Sequence, residues 1–171
     1  MRHKLLHEQD GQRTFALVFD KGDEVVEGLT NFAAEGGLGA ASFTAVGAFG
    51  GATLGYFDRE RKEYQKIPVE EQVEVLSLLG DVALKDGEPQ VHAHVVLGRS
   101  DGTTRGGHLL EADVWPTLEV ILVETPGHLQ KTTDEETGLA LIDIGDGSRT
   151  AIGVMALPGS EPGRAIPKEA I

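Results

Sequence analysis

The sequence predicts an α/β (α+β) domain, mostly strand with few helices. Three observations carry this. A strand followed by one amphipathic helix opens the chain, period-two alternation recurs after it, and 23 of the 171 residues are glycine. That length suits one domain, and 40% apolar residues can fill a core.

The elements follow in order. Arg13 to Phe19 reads as a strand with Phe15, Leu17 and Phe19 on one face. Asp23-Glu24 then opens a helix, where acidic side chains complement the helix N-terminus. Val25, Val26, Leu29, Phe32 and Ala33 form its apolar stripe, and Gly36-Gly37 stops it. Ala40 to Phe49 and Ala52 to Phe57 read as two strands joined by a tight hairpin at Gly50-Gly51. Asp58 to Glu63 is a polar turn of mixed charge, read as a solvated loop. Gln72 to Gly80 is a strand, and Lys85-Asp-Gly-Glu-Pro89 is a turn. Gln90 to Gly98 alternates most cleanly, with Val91, Ala93, Val95 and Leu97 on one face and Gln90, His92, His94 and Val96 on the other.

Ser100-Asp-Gly102 is a hairpin signal leading into Thr103 to Val114. Trp115-Pro116 breaks the pattern before another strand, Thr117 to Glu124. A last apolar segment, Leu139 to Ile144, follows the acidic turn Asp134-Glu-Glu136. The division is an N-terminal extension (1–12), one domain (13–144) and a tail (145–171), whose Thr150 to Leu157 stretch reads as an extra edge strand. No internal repeat or interdomain linker interrupts it.

Composition excludes several function classes. With no cysteine, disulfides, thiolate nucleophiles and thiolate-bound zinc or iron–sulfur clusters are out. The formal net charge of −13 opposes non-specific binding to nucleic acid and to anionic membranes. No signal peptide or membrane-spanning run is read, so a cytoplasmic protein is expected. The glycines of Gly47-Ala-Phe-Gly-Gly51 lack a P-loop lysine, and no Gly-x-Ser-x-Gly nucleophile elbow occurs.

The chemistry-bearing candidates are histidines. His92 and His94 in one strand project to the same face, roughly 6.5–7 Å apart along the backbone. His108 would arrive on the neighbouring antiparallel strand. Three imidazoles could hold a metal and leave a position open for water or a small ligand. They could equally be structural. Simple alternation groups His108 with Leu110, Ala112 and Val114, an apolar set, so it is either a core residue or a ligand re-aimed by a bulge at Gly106-Gly107. His3, His7 and His128 read as surface or loop residues. If metal water were a nucleophile it would need a base. Glu111, Asp113 and Glu119 are the nearby carboxylates, with Glu119 and Glu111 the catalytic candidates and a plain strand glutamate the simpler reading of Glu119.

Four segments in order resemble the PPC domain family, named for plants and prokaryotes: Gln72 to Gly80, His92-Ala-His94, Gly106-Gly-His108-Leu109 and Thr117 to Leu122, with Thr137-Gly-Leu-Ala-Leu141 also fitting. The resemblance runs from about Arg13 to Ile144. It implies a single compact domain with a central, largely antiparallel sheet, usually a homotrimer, and a divalent metal, zinc first, at His92, His94 and His108. In plants the domain accompanies an AT-hook that enters the minor groove of A·T-rich DNA. This chain has no Arg-Gly-Arg-Pro core, and Pro162-Gly-Arg-Ala165 lacks flanking basic residues. Three functions follow: a trimeric metal-binding domain with an open ligand position, a DNA-associated regulatory or assembly module without catalysis, or a metal-dependent hydrolase or lyase of unknown substrate.

Overall fold

A computed structural model describes residues 1–145. The Thr150 to Leu157 edge strand lies outside them. One helix and nine strands are described: β1 (Arg2–Gln9), β2 (Gln12–Asp20), α1 (Val25–Gly36), β3 (Ala40–Asp58), β4 (Glu63–Val69), β5 (Val73–Lys85), β6 (Glu88–Gly98), β7 (Thr104–Glu124), β8 (Gln130–Thr133) and β9 (Ala140–Asp143). All belong to one sheet with the path β1-β2-β7-β3-β5-β8-β9, while β4 pairs with β3 and β6 bridges β5 and β7. Pairing is antiparallel except for β5 with β8. The pairings β3–β5–β6–β7–β3 close on themselves, so the sheet curls. No helix among the described residues is long and apolar enough to cross a membrane.

The helix forms where its caps and stripe place it. Glu24 accepts a hydrogen bond from the Glu27 N–H, and Gly37 closes the last turn in a left-handed conformation. Val25, Leu29, Phe32 and Ala33 are buried, and Phe32 packs edge-on against Phe15 of β2 at 5.2 Å between ring centroids. Arg13 bonds both the Glu124 carboxylate and the Gly36 carbonyl, which ties the helix end to the sheet. The core is continuous from this helix through Leu54, Val75, Leu78, Val95, Leu97, Leu118 and Leu122.

Two expected breaks are absent. Gly50-Gly51 is no hairpin: β3 runs through it, and Ala52 to Asp58 continue on to pair with β4. The strand bends by register shifts against β7 instead of reversing. β7 likewise runs through Trp115-Pro116. Gly47 pairs with Leu118 and Phe49 with Val114, so β7 has surplus residues there, which is where a residue without an N–H is tolerated. β1, in the segment read as an extension, is a strand joined to β2 through Asp10-Gly11. β4 and β8 are further strands that the sequence pattern does not announce.

The bend in β3 depends on Gly47, whose φ is +150°. A Cβ there would sit 2.3 Å from the Thr117 carbonyl oxygen and 2.8 Å from Leu118 Cα. Both are backbone atoms, so neither can swing aside. Gly47→Ala is expected to destabilise the fold by about 1–3 kcal/mol or more, read as a lower denaturation midpoint in urea. An unchanged midpoint would remove this account of the β3–β7 crossing.

Candidate metal centre

The hairpin β6–β7 sets the register of the histidines. Gly98 pairs with Thr104 and His94 with His108, so these two rings lie side by side on neighbouring strands. His92 and His94 alternate with buried Ala93, Val95 and Leu97 and therefore share the outer face of β6. The three ring centroids stand 5.1, 5.3 and 5.4 Å apart. One ligating nitrogen from each lies within 4.8 Å of the other two. The residues singled out in the sequence thus converge.

His108 reaches this group because of a bulge, but not the one expected. Gly106 and Gly107 pair regularly with Val96 and Val95. The irregularity comes later: Glu111 pairs with Thr53 and Leu109 with Leu54, which leaves Leu110 as the extra residue. Alternation inverts across Leu110. Leu109 before it and Ala112 and Val114 after it are all buried, so His108 escapes the apolar set and joins the histidine face.

The three rings line a cleft of about 630 Å³ together with Tyr64, Asp81, Gln90, Lys131 and the Leu139–Ile142 stretch. Tyr64 of β4 stacks on His108 at 4.6 Å between centroids. Asp81 of β5 pairs across the ladder with His92, and its Oδ2 lies 3.1 Å from His92 Nδ1. Its Oδ1 lies 2.9 Å from Nζ of the buried Lys131, an ion pair and not a well-directed hydrogen bond. Sequence reading missed Asp81, Lys131 and Tyr64. Asp81 sits eleven positions before His92 across a tight turn, a spacing from which cross-strand pairing can be read; Lys131 comes from a short strand without a sequence signal.

Glu119 and Glu111 lie elsewhere. Glu119 is exposed on the opposite stretch of β7, beside Val46, Leu76 and Leu79. Glu111 lines a separate groove with Glu24 and Asp113. Neither borders the histidine cleft, so neither is placed as a base for a metal-bound water. His3 lies against Phe32, and His128 against Gly39.

The residues fit a divalent cation. Burial, with His92, His94 and Lys131 nearby, pushes His108 down to about 4, and partial burial with His92 lowers His94. Both rings are thus neutral at pH 7, as metal ligation requires. Nδ1 of His108 is buried and has no hydrogen-bond partner among the described residues, a cost that coordination would relieve.

The depressed His108 also makes the metal-free fold acid-sensitive. Its folded pKa lies below the ordinary value of about 6.5, so between pH 6.5 and 4 the unfolded chain binds the extra proton. Stability is expected to fall as pH drops through that window. Urea unfolding in chelator should show a steeper loss for the parent than for His108→Gln. Superimposable pH profiles would contradict it.

The Plants and Prokaryotes Conserved (PCC) domain model matches residues 6–126. The chain belongs to this family. A metal-containing protein from Archaeoglobus fulgidus is 42% identical, with a TM-score of 0.71, over 75% of this chain and 91% of that one. A plant- and prokaryote-conserved (PPC) protein from Pyrococcus horikoshii is 35% identical, with a TM-score of 0.73, over 83% and 94%. A protein from Bacteroides thetaiotaomicron, provisionally named for DNA binding, is 26% identical, with a TM-score of 0.74, over 82% and 96%. No curated protein matches the chain. For this PCC domain the resemblance drawn from Gln72 to Leu122 therefore holds; the match begins earlier, inside β1, and ends before Thr137 to Leu141.

Proposed function

We propose that this PCC domain binds one divalent metal ion, zinc first, through His92, His94 and His108, and takes a small ligand at the position they leave open. The convergence of three ring nitrogens within 4.8 Å carries the reading. The Archaeoglobus relative, described as metal-containing, supports it. Three neutral imidazoles are a familiar ligand set for zinc with an open site, and a bound ion would supply a Lewis-acidic centre facing the cleft. The cleft carboxylate, Asp81, is engaged by His92 and Lys131, and Glu111 and Glu119 lie away from it. Binding is therefore favoured over metal-assisted hydrolysis or lyase chemistry. Calorimetric titration of zinc into chelator-stripped protein at neutral pH should show one site per chain; no heat and no retained zinc would refute the reading.

Assembly as a homotrimer is part of the proposal. Leu79, Thr44 and Ile121 lie in one cross-strand row over β5, β3 and β7, flanked by Val46 and Leu76. Val46 is 59% exposed and Leu79 57%, an apolar sheet face that a subunit would cover. Leu79 also pairs with His94, so this face adjoins the histidine site.

Direct DNA binding is not part of it, despite the names of some relatives. With 15 basic against 28 acidic residues, few phosphates can be neutralised and the counterion-release contribution is small. Fluorescence anisotropy with A·T-rich duplex at physiological salt should show no binding. A sub-micromolar Kd with a steep salt slope would favour the DNA-associated module instead.

A further inference from the structure

We propose that Asp81 and Lys131 are positioning residues for the histidine site: Asp81 accepts a hydrogen bond from the Nδ1–H of His92 and so reserves Nε2 of that ring for the metal, while Lys131 fixes Asp81. This rests on the metal-binding reading above.

The argument starts from the ladder. Asp81 on β5 and His92 on β6 are direct cross-strand partners, so their side chains stand on the same face at close range. The Asp81 Oδ2 to His92 Nδ1 separation is 3.1 Å. A neutral imidazole carries one N–H, and a carboxylate can only accept. The hydrogen bond therefore needs the proton on Nδ1, which leaves the lone pair on Nε2. This is how a carboxylate behind a ligating histidine sets its tautomer and holds its plane. No other carboxylate lines the cleft among the described residues.

Lys131 supplies the second half. Its side chain is 2% exposed, and an ammonium so placed is costly unless a charge answers it. The answering charge is Asp81, whose Oδ1 lies 2.9 Å from Nζ. The Gln90 carbonyl stands 3.5 Å from the same nitrogen, on the strand that carries His92. Each Asp81 oxygen thus has its own neighbour: one faces the ligand ring, the other the lysine. β8 joins β5 through the single pairing of Leu84 with Gln130, which sets Lys131 beside the Asp81–His92 pair. Asp81 and Lys131 come from β5 and β8, so the site is braced from outside the hairpin that carries the ligands.

The test is zinc affinity by chelator competition, with the visible spectrum of the cobalt-loaded protein and the ¹⁵N shifts of His92 in the metal-free protein. Losing such an outer partner costs about 10–100-fold in metal affinity. Asp81→Ala, or Asp81→Ala/Lys131→Met should the unanswered Lys131 ammonium prevent folding, should lose that much while keeping one site per chain and an unchanged far-ultraviolet circular dichroism spectrum. Its cobalt spectrum should change, and the His92 tautomer should no longer be fixed. Asp81→Asn keeps an acceptor oxygen and should lose less. Lys131→Met leaves a carboxylate without its countercharge; if it fails to fold, Asp81→Asn/Lys131→Met removes that charge and should fold with a similar affinity loss. Zinc affinity within about twofold of the parent in Asp81→Ala, or a metal-free parent with the His92 proton on Nε2, overturns the roles given to Asp81 and Lys131 and leaves metal binding standing. A parent that takes up neither zinc nor cobalt overturns the metal reading itself, and with it these roles.

Discussion

Replacing any one of His92, His94 or His108 with alanine is expected to strip the chain of its metal. Each ring contributes one of three neutral nitrogens, and the open position cannot compensate for a lost ligand. The loss should exceed the roughly 10–100-fold that an outer-shell change costs, so the variants should emerge from purification empty while the parent is near-stoichiometric. Position makes these changes tolerable to the fold. His92 and His94 stand on the outer face of β6, away from Ala93, Val95 and Leu97, and His108 is half-buried on the same face, stacked between Tyr64 and His92. The matched controls are His3, His7 and His128, which lie on β1 and beside Gly39 and should leave metal content unchanged. Elemental analysis of folded variants checks this. Equal content in the parent and the three alanine variants would return these histidines to a structural role.

A charge placed on the apolar sheet face should dissociate the proposed trimer. Leu79 and Val46 are more than half exposed in the single chain, and each would bury roughly 1.5–3 kcal/mol of apolar side chain under a partner. Leu79→Glu with Val46→Glu reverses that gain and adds desolvation of two carboxylates, repeated at each interface of a ring. Light scattering should give three times the chain mass for the parent and one chain mass for the double variant. A monomeric parent at micromolar concentrations would remove the trimer from the proposal. Because Leu79 pairs with His94, the same variant is also expected to alter ligand access to the metal cleft.

Much of this architecture is legible from residues alone, for identifiable reasons. α1 is readable because Glu24, the Val25–Ala33 stripe and Gly36-Gly37 all signal the same helix. β6 is readable because nothing disturbs its alternation, so His92 and His94 could be assigned a face directly. β1 is concealed because all eight of its residues are exposed, although Asp10-Gly11 is a strong hairpin signal. Gly50-Gly51 and Trp115-Pro116 mislead for the opposite reason. Both carry turn chemistry, yet each sits where a long strand bends over its partner and needs irregular pairing.

The candidate site divides the same way. The ligands are local in sequence, and one hairpin brings them together. What re-aims His108 is the extra residue Leu110, visible only against the register of β3. Asp81 is placed only by counting across the β5–β6 turn and Lys131 only by the order of strands in the sheet, and no periodicity within one segment announces either contact. Glu119 looks unusual because an acid stands among Val, Ile and Leu, but that strand segment pairs with β2 and β3, away from β6.

The most direct measurement is anomalous diffraction at the zinc absorption edge from crystals of protein purified without chelator or nickel resin and offered zinc at neutral pH. The account predicts one strong peak per chain among the rings of His92, His94 and His108. An empty site there, or zinc found only at surface carboxylates, would contradict it.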